Sequence, residues 1–150
     1  MHLDTNNIEF QRAFHLVTQT KRNVFLTGRA GTGKTTFLKY LKEYCTKSMA
    51  IVAPTGVAAI NAGGVTIHSF FQIAPGFNAP EATPTYNLSK VDVIKGIELL
   101  VIDEISMVRC DLLEMIDKAC RLYGDKNRSF GGKQVLFIGD PYQLPSFVSK

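Results

Sequence analysis

Gly28, Gly33, Lys34 and Thr35 stand in the order Gly-x-x-x-x-Gly-Lys-Thr, just after an apolar run that ends at Thr27. Glycines let backbone N–H groups turn inward around anionic oxygens with no Cβ in the way, and a helix that begins at such a turn adds its positive end. The pattern therefore predicts a triphosphate cradle built from Gly28, Ala30, Gly31, Thr32, Gly33, Lys34, Thr35 and Thr36. Lys34 is expected to reach the β and γ phosphates, and Thr35 to place its hydroxyl on Mg²⁺. A turn that was merely glycine-rich would require neither the lysine nor the threonine.

A magnesium-bound triphosphate also needs a carboxylate at a strand end. The run LLVIDE supplies Asp103 and Glu104 where its apolar residues stop. Asp103 is the expected metal holder through the ion's water shell, and Glu104 the expected general base for an attacking water. The competing role for such an acidic pair is a helix N-cap. Gln143, after another apolar run, is placed to sense the γ phosphate or orient water, although a single glutamine also suits an exposed surface.

Strands and helices must bring these residues together. Residues 6–20 read as an amphipathic helix, with Asn6 and Glu9 as a capping pair and Phe10, Ala13, Phe14 and Val17 on one side. Apolar runs at 23–27, 49–53, 98–102 and 134–138 predict buried strands. Phe37, Leu38, Leu41, Tyr44 and Cys45 define a helix face after the glycine turn, and 57–60 reads as a short apolar helix. A further helix is expected from Asp111, with Glu114 as box partner, Leu112, Leu113, Ile116, Ala119 and Tyr123 inward, and Gly124 closing it. Continuous apolar strands alternating with helices imply an α/β domain of three layers around a parallel sheet. Pro75, Pro80 and Pro84 make residues 73–88 unsuited to a helix or central strand, and residues 124–132 read as a basic solvated turn.

Composition narrows the class. With 45% hydrophobic and 20% charged residues in 150, the chain can form a core of single-domain size. A net charge of +4 leans toward a polyanionic partner without proving one. Cys45, Cys110 and Cys120 lack metal-site spacing and are expected to be reduced, buried thiols of an intracellular protein. No apolar run approaches the length of a membrane span.

Taken in order, GRAGTGKTT, APTGVAAINAGGVTIHSFF, LLVIDEISMV and GGKQVLFIGDPYQLPS resemble the first RecA-like domain of superfamily-one DNA helicases, most closely the PIF-one family, relatives of RecD and Dda. The resemblance covers residues 3–146 and implies ATP and Mg²⁺ as cofactors, with movement 5′ to 3′ on single-stranded DNA. It implies that Gln11 reads adenine and that Gln143 meets the γ phosphate. It also implies a DNA path lined by Pro54, Thr55, Gly56, Asn61, Thr66, His68 and Ser69, and a wedge or pin at 73–90 where Phe77 presses on a base pair or stacks on a base. Phe70 and Phe71 read as core, with base stacking as the alternative.

Ser146 stands where the family usually has a second proline, a change at the motif's edge. The resemblance further implies a second RecA-like lobe in the same parent chain, which supplies arginines across the ATP cleft, so that the 150 residues alone should turn over ATP poorly. Single-stranded and forked or structured DNA are the expected partners, with no membrane and a monomeric state. The expected location is bacterial or phage cytosol, or nucleus or mitochondrion in a eukaryote. Two other classes compete: a different phosphate-loop NTPase or small-molecule kinase, and a nucleotide- or DNA-binding fragment without turnover. No NKxD guanine-reading motif is present.

Overall fold

The computed structural model describes residues 8–27, 33–72 and 88–139. Within them, helix α1 (Ile8–Gln19) leads to strand β1 (Val24–Thr27), helix α2 (Lys34–Tyr44) and strand β2 (Met49–Ala53). Helix α3 (Gly56–Ala62), the two-residue strand β3 (Val65–Thr66) and the single turn α4 (Ile67–Phe70) follow. The described chain ends with α5 (Leu88–Gly96), β4 (Leu99–Ile102), α6 (Cys110–Leu122) and β5 (Gln134–Gly139). No helix among the described residues is long and apolar enough to cross a membrane.

All five strands are parallel, in the order β1-β5-β4-β2-β3. The strands are apolar on both sides because both sides are covered. Leu99, Val101, Leu136 and Ile138 pack with Val17 of α1 and Leu38 and Leu41 of α2. Their alternates Leu100, Ile102 and Val135 pack with Phe71 and with Ile116 and Ala119 of α6. The period of two along each strand thus feeds two separate apolar layers, and the expected three-layer architecture is the one observed.

Several expectations need correction. Strand β3 and helices α4 and α5 were not expected; the last begins at Leu88, so residues 88–90 of the segment read as a wedge form its first turn. Helix α6 starts at Cys110, with Arg109 as an N-cap that makes no side-chain cap bond. The Asp111–Glu114 box is not formed: the Asp111 carboxylate accepts the N–H of Leu112 at 2.9 Å. Met115 and Cys120 are buried on α6, while Leu112, Leu113 and Tyr123 are only half-buried. Tyr44 is exposed at the end of α2, its ring 4.5 Å from that of Tyr40. The three thiols are free, but only Cys120 is buried; Cys110 is exposed. Burial pushes the Cys120 thiol up to about 12. Asn6 and the Pro-rich residues 73–87 lie outside the described residues.

The edge where the strands start is closed by an internal network. Lys47 donates from Nζ to the carbonyls of Val17 (2.8 Å) and Thr20 (2.6 Å) and to Gln134 Oε1 (2.6 Å). Gln134, itself buried, donates from Nε2 to the carbonyls of Arg22 and Leu16. A single ammonium therefore ties the end of α1, the approach to β2 and the start of β5.

Candidate nucleotide site and the neighbouring strand ends

Parallel strands all exit at one edge, and β4 delivers Asp103 there. Its N–H is held by the carbonyl of Val52 at 2.9 Å, and its side chain is buried. The chain then reverses: Glu104 takes a left-handed backbone, φ 54° and ψ 47°, and its N–H donates to Asp103 Oδ1 at 2.9 Å. That reversal presents two successive carboxylates on the same side of the turn.

Across the edge, α2 begins at Lys34 after Gly33, whose φ is +96°. A Cβ on Gly33 would meet nothing within 4 Å, so glycine is required there by the backbone angle and not by crowding. No side chain caps the helix start, so its first N–H groups have no side-chain cap within the helix. Lys34 Nζ lies 2.7 Å from Glu104 Oε1 and 3.4 Å from Asp103 Oδ1, joining segments about seventy residues apart.

Burial works to lower the Lys34 ammonium's pKa, but the two carboxylates outweigh it and hold the value above the ordinary one. Burial likewise raises Asp103, partly opposed by Lys34. Two acids and one base in a half-buried corner leave excess negative charge, the condition under which a divalent cation is welcome. Among the described residues no group of three or more His, Cys, Asp or Glu could hold a metal unaided. Asp103 with the exposed Thr35 hydroxyl suits Mg²⁺, which keeps waters and phosphate oxygens in its shell.

Thr36 is half-buried in the first turn of α2. Gln11 lies on the exposed side of α1, which is fixed to α2 by Phe10 and Phe14 packing on Phe37 and Tyr40. Gly28, Ala30, Gly31, Thr32, Phe77 and Gln143 lie outside the described residues.

Of the residues read as a DNA path, Pro54, Thr55, Gly56 and Thr66 lie at the adjoining strand ends, His68 and Ser69 follow in α4, and Asn61 lies near the far end of α3. Ala53 of β2 is in register with Thr66 of β3, so Pro54 and Thr55 leave the sheet beside Thr66. Both threonines are N-caps: Thr55 Oγ1 accepts the N–H of Ala58 at 3.2 Å, and Thr66 Oγ1 that of Ser69 at 3.1 Å. Gly56, Asn61 and Ser69 are exposed and His68 is half-buried. Phe71 is core, at 1% exposure. Phe70 is half-buried, and Lys90 Nζ sits 4.4 Å from its ring centre.

Two features escaped the sequence reading. The first is the ion pair of Lys34 with Glu104, since nothing local encodes a contact of that range. The second is the outward face of α3: Ala59 and Ala62 are buried, whereas Val57 is 72% and Ile60 79% exposed. The spacing of the small residues, three apart, was the available signal, because close helix–sheet packing selects alanine.

Residues 6–150 match the family described as PIF1-like helicase. The ATP-dependent DNA helicase PIF1 of Saccharomyces cerevisiae is 39% identical over 150 residues, covering 93% of this chain and 17% of that protein. The structure of Bacteroides Pif1 bound to ssDNA is similar at a TM-score of 0.84 with 48% identity, over 97% of this chain and 33% of that one. Bacteroides Pif1 in complex with ADP-AlF4 gives a TM-score of 0.85 and 47% identity, over 95% and 34%. The chain spans about a fifth of the length of the curated relatives it matches. With nearly every residue matched and the fold shared, the chain belongs to the PIF1-like helicase family.

Proposed function

We propose that these residues form the nucleotide-binding motor lobe of an ATP-dependent DNA helicase that moves 5′ to 3′ on single-stranded DNA and unwinds forked or structured duplexes. The observation that carries this reading is the meeting of Lys34, the lysine of the Gly-x-x-x-x-Gly-Lys-Thr motif, with Glu104 and Asp103 at the strand exits. Structures of Bacteroides Pif1 bound to ssDNA and to ADP-AlF4 support both ligand classes by relationship.

In this reading the uncapped start of α2 and Lys34 bind the β and γ phosphates, together with Gly28, Ala30, Gly31, Thr32, Gly33 and Thr36. Thr35 and Asp103 hold Mg²⁺, which when bound neutralises phosphate charge. Lys34 transfers its ammonium from Glu104 to the phosphates, and the freed carboxylate takes the proton of the attacking water at Oε1 or Oε2. Gln143 contacts the γ phosphate and Gln11 the adenine. A second RecA-like lobe supplies arginines to the same cleft, so turnover by residues 1–150 alone is low.

DNA phosphates meet backbone N–H groups and small hydroxyls near Pro54, Thr55, Gly56, Asn61, Thr66, His68 and Ser69, which bind irrespective of base sequence. Because Thr55 and Thr66 already accept helix N–H groups, they position backbone donors in addition to any contact of their own. Differing grip on the strand in ATP-bound and ATP-free states gives directional steps.

ATP hydrolysis measured with and without single-stranded DNA, in the protein at its natural length and in residues 1–150, tests the motor. Stimulation confined to the longer protein is expected. DNA-independent phosphate transfer to a metabolite would overturn the reading, and unwinding of duplexes with 3′ but not 5′ overhangs would overturn the direction.

A further inference from the structure

A parallel sheet gathers at one edge every residue that precedes a strand, whatever the distance in sequence. Lys21 comes before β1, Lys47 before β2, Lys95 and Glu98 before β4, and Lys133 before β5. With Tyr123 from the end of α6, these residues line a cavity of about 270 Å³ at the edge opposite Lys34 and Asp103. Four lysines face a single carboxylate there, while the whole chain has 17 basic and 13 acidic residues. The chain's excess positive charge is thus concentrated in one concavity.

The lysines differ in what they have left to give. An ammonium has three N–H groups, and Lys47 directs all of them to internal acceptors. Lys133 donates to the carbonyl of Ile97 at 2.9 Å. Lys21 and Lys95 are exposed at the rim. Glu98 Oε1 is engaged by the N–H of Ser48 at 3.1 Å and its hydroxyl at 3.3 Å. Burial holds Lys133 below the ordinary lysine value, a cost that an anion in the cavity would relieve.

Lysines beside an aromatic ring in a concave site are the combination that holds a nucleic-acid strand without reading its sequence. We infer that this cavity is a second nucleic-acid contact, which takes one nucleotide unit of a single strand with its phosphate on Lys21, Lys95 and Lys133 and its base beside Tyr123. Lys47 adds charge beneath the phosphate without a direct bond. The site uses neither Lys34 nor the strand exits at Thr55 and Thr66, so its failure would leave the motor reading intact, and the converse.

The test uses the protein at its natural length and fluorescence anisotropy of a labelled oligo-dT across a salt series. The double variant Lys21→Gln/Lys95→Gln is expected to weaken binding about five-fold and to lower the slope of log K against log salt by about 0.7, the value for one lost phosphate contact on a single strand. Lys39→Gln/Lys118→Gln, with the same change in net charge on α2 and α6, is expected to change affinity less than about two-fold by the same measure. Equal losses in the two doubles would overturn the site. Chemical acylation of lysines, read by mass spectrometry, supplies a second measurement: oligo-dT is expected to protect Lys95 and Lys133. Protection by pyrophosphate but not by oligo-dT would assign the cavity to free phosphate and overturn the strand contact.

Discussion

Lys34 and Lys47 are both half-buried lysines at the ends of sheet strands, on opposite edges, and they are bonded in opposite ways. Lys47 donates to two backbone carbonyls and a buried amide, acceptors that have no other purpose once the fold is made. Lys34 pairs with two carboxylates, each of which has chemistry of its own to perform. A backbone carbonyl cannot be released without unfolding something; a carboxylate can be exchanged for a phosphate. The contrast separates a structural ammonium from a functional one by the nature of its acceptors, where burial alone would rank the two together.

Four substitutions probe that contrast, and the largest effect is expected at Lys34. Lys34→Ala should abolish ATP binding in calorimetric titration, with a smaller fall in the urea midpoint than a change at Lys47 produces; retained binding would break the distinction. Glu104→Gln should keep nucleotide affinity and lower turnover of the natural-length protein by about 10²–10⁴-fold, the usual range for losing a general base. At the other edge, Lys47→Met strands three acceptors, and a loss on the order of 3 kcal/mol is expected in urea denaturation, with ATP affinity retained.

Asp103 sharpens the comparison through pH. Its carboxyl is raised above the ordinary value of 3.8 chiefly by burial. A raised acid favours the fold most below its ordinary value, and that advantage is lost as pH climbs through the folded value, so the ionised group costs stability at neutral pH. Asp103→Asn keeps an oxygen for the Glu104 N–H. It should raise the melting temperature by about 2–4 °C at neutral pH, as for a gain near 1 kcal/mol in a domain of this size, and by less under acid conditions. An unchanged or lower melting temperature at neutral pH would refute the burial argument.

Much of the fold was legible because four strands read as unbroken apolar runs, with β4 and β5 buried almost throughout and β1 half-buried at the sheet's edge; 49–53 coincides with β2. The elements that went unseen have physical reasons for silence. Strand β3 has two residues and borders the sheet, so its pattern is too short to register. Helix α5 buries Ile94 yet exposes Leu88 and Val93, and its apolar residues share no single face. Tyr44 was assigned inward by spacing, but its ring turns to Tyr40, while its neighbour Cys45 packs against the core. At the site, the residue types of Lys34, Asp103 and Glu104 were readable from local motifs. Their mutual distances were not, because those depend on which strand exits lie near one another, and β5, last of the described strands, separates β1 from β4.

Gly139, the final residue of β5, has room for no side chain: a Cβ there would stand 2.7 Å from Ile105 Cγ2, in the turn that follows Glu104. The two strand exits are therefore seated like adjacent teeth of a gear. A methyl group at this position would press on Ile105, which must shift next to the acidic turn to make room.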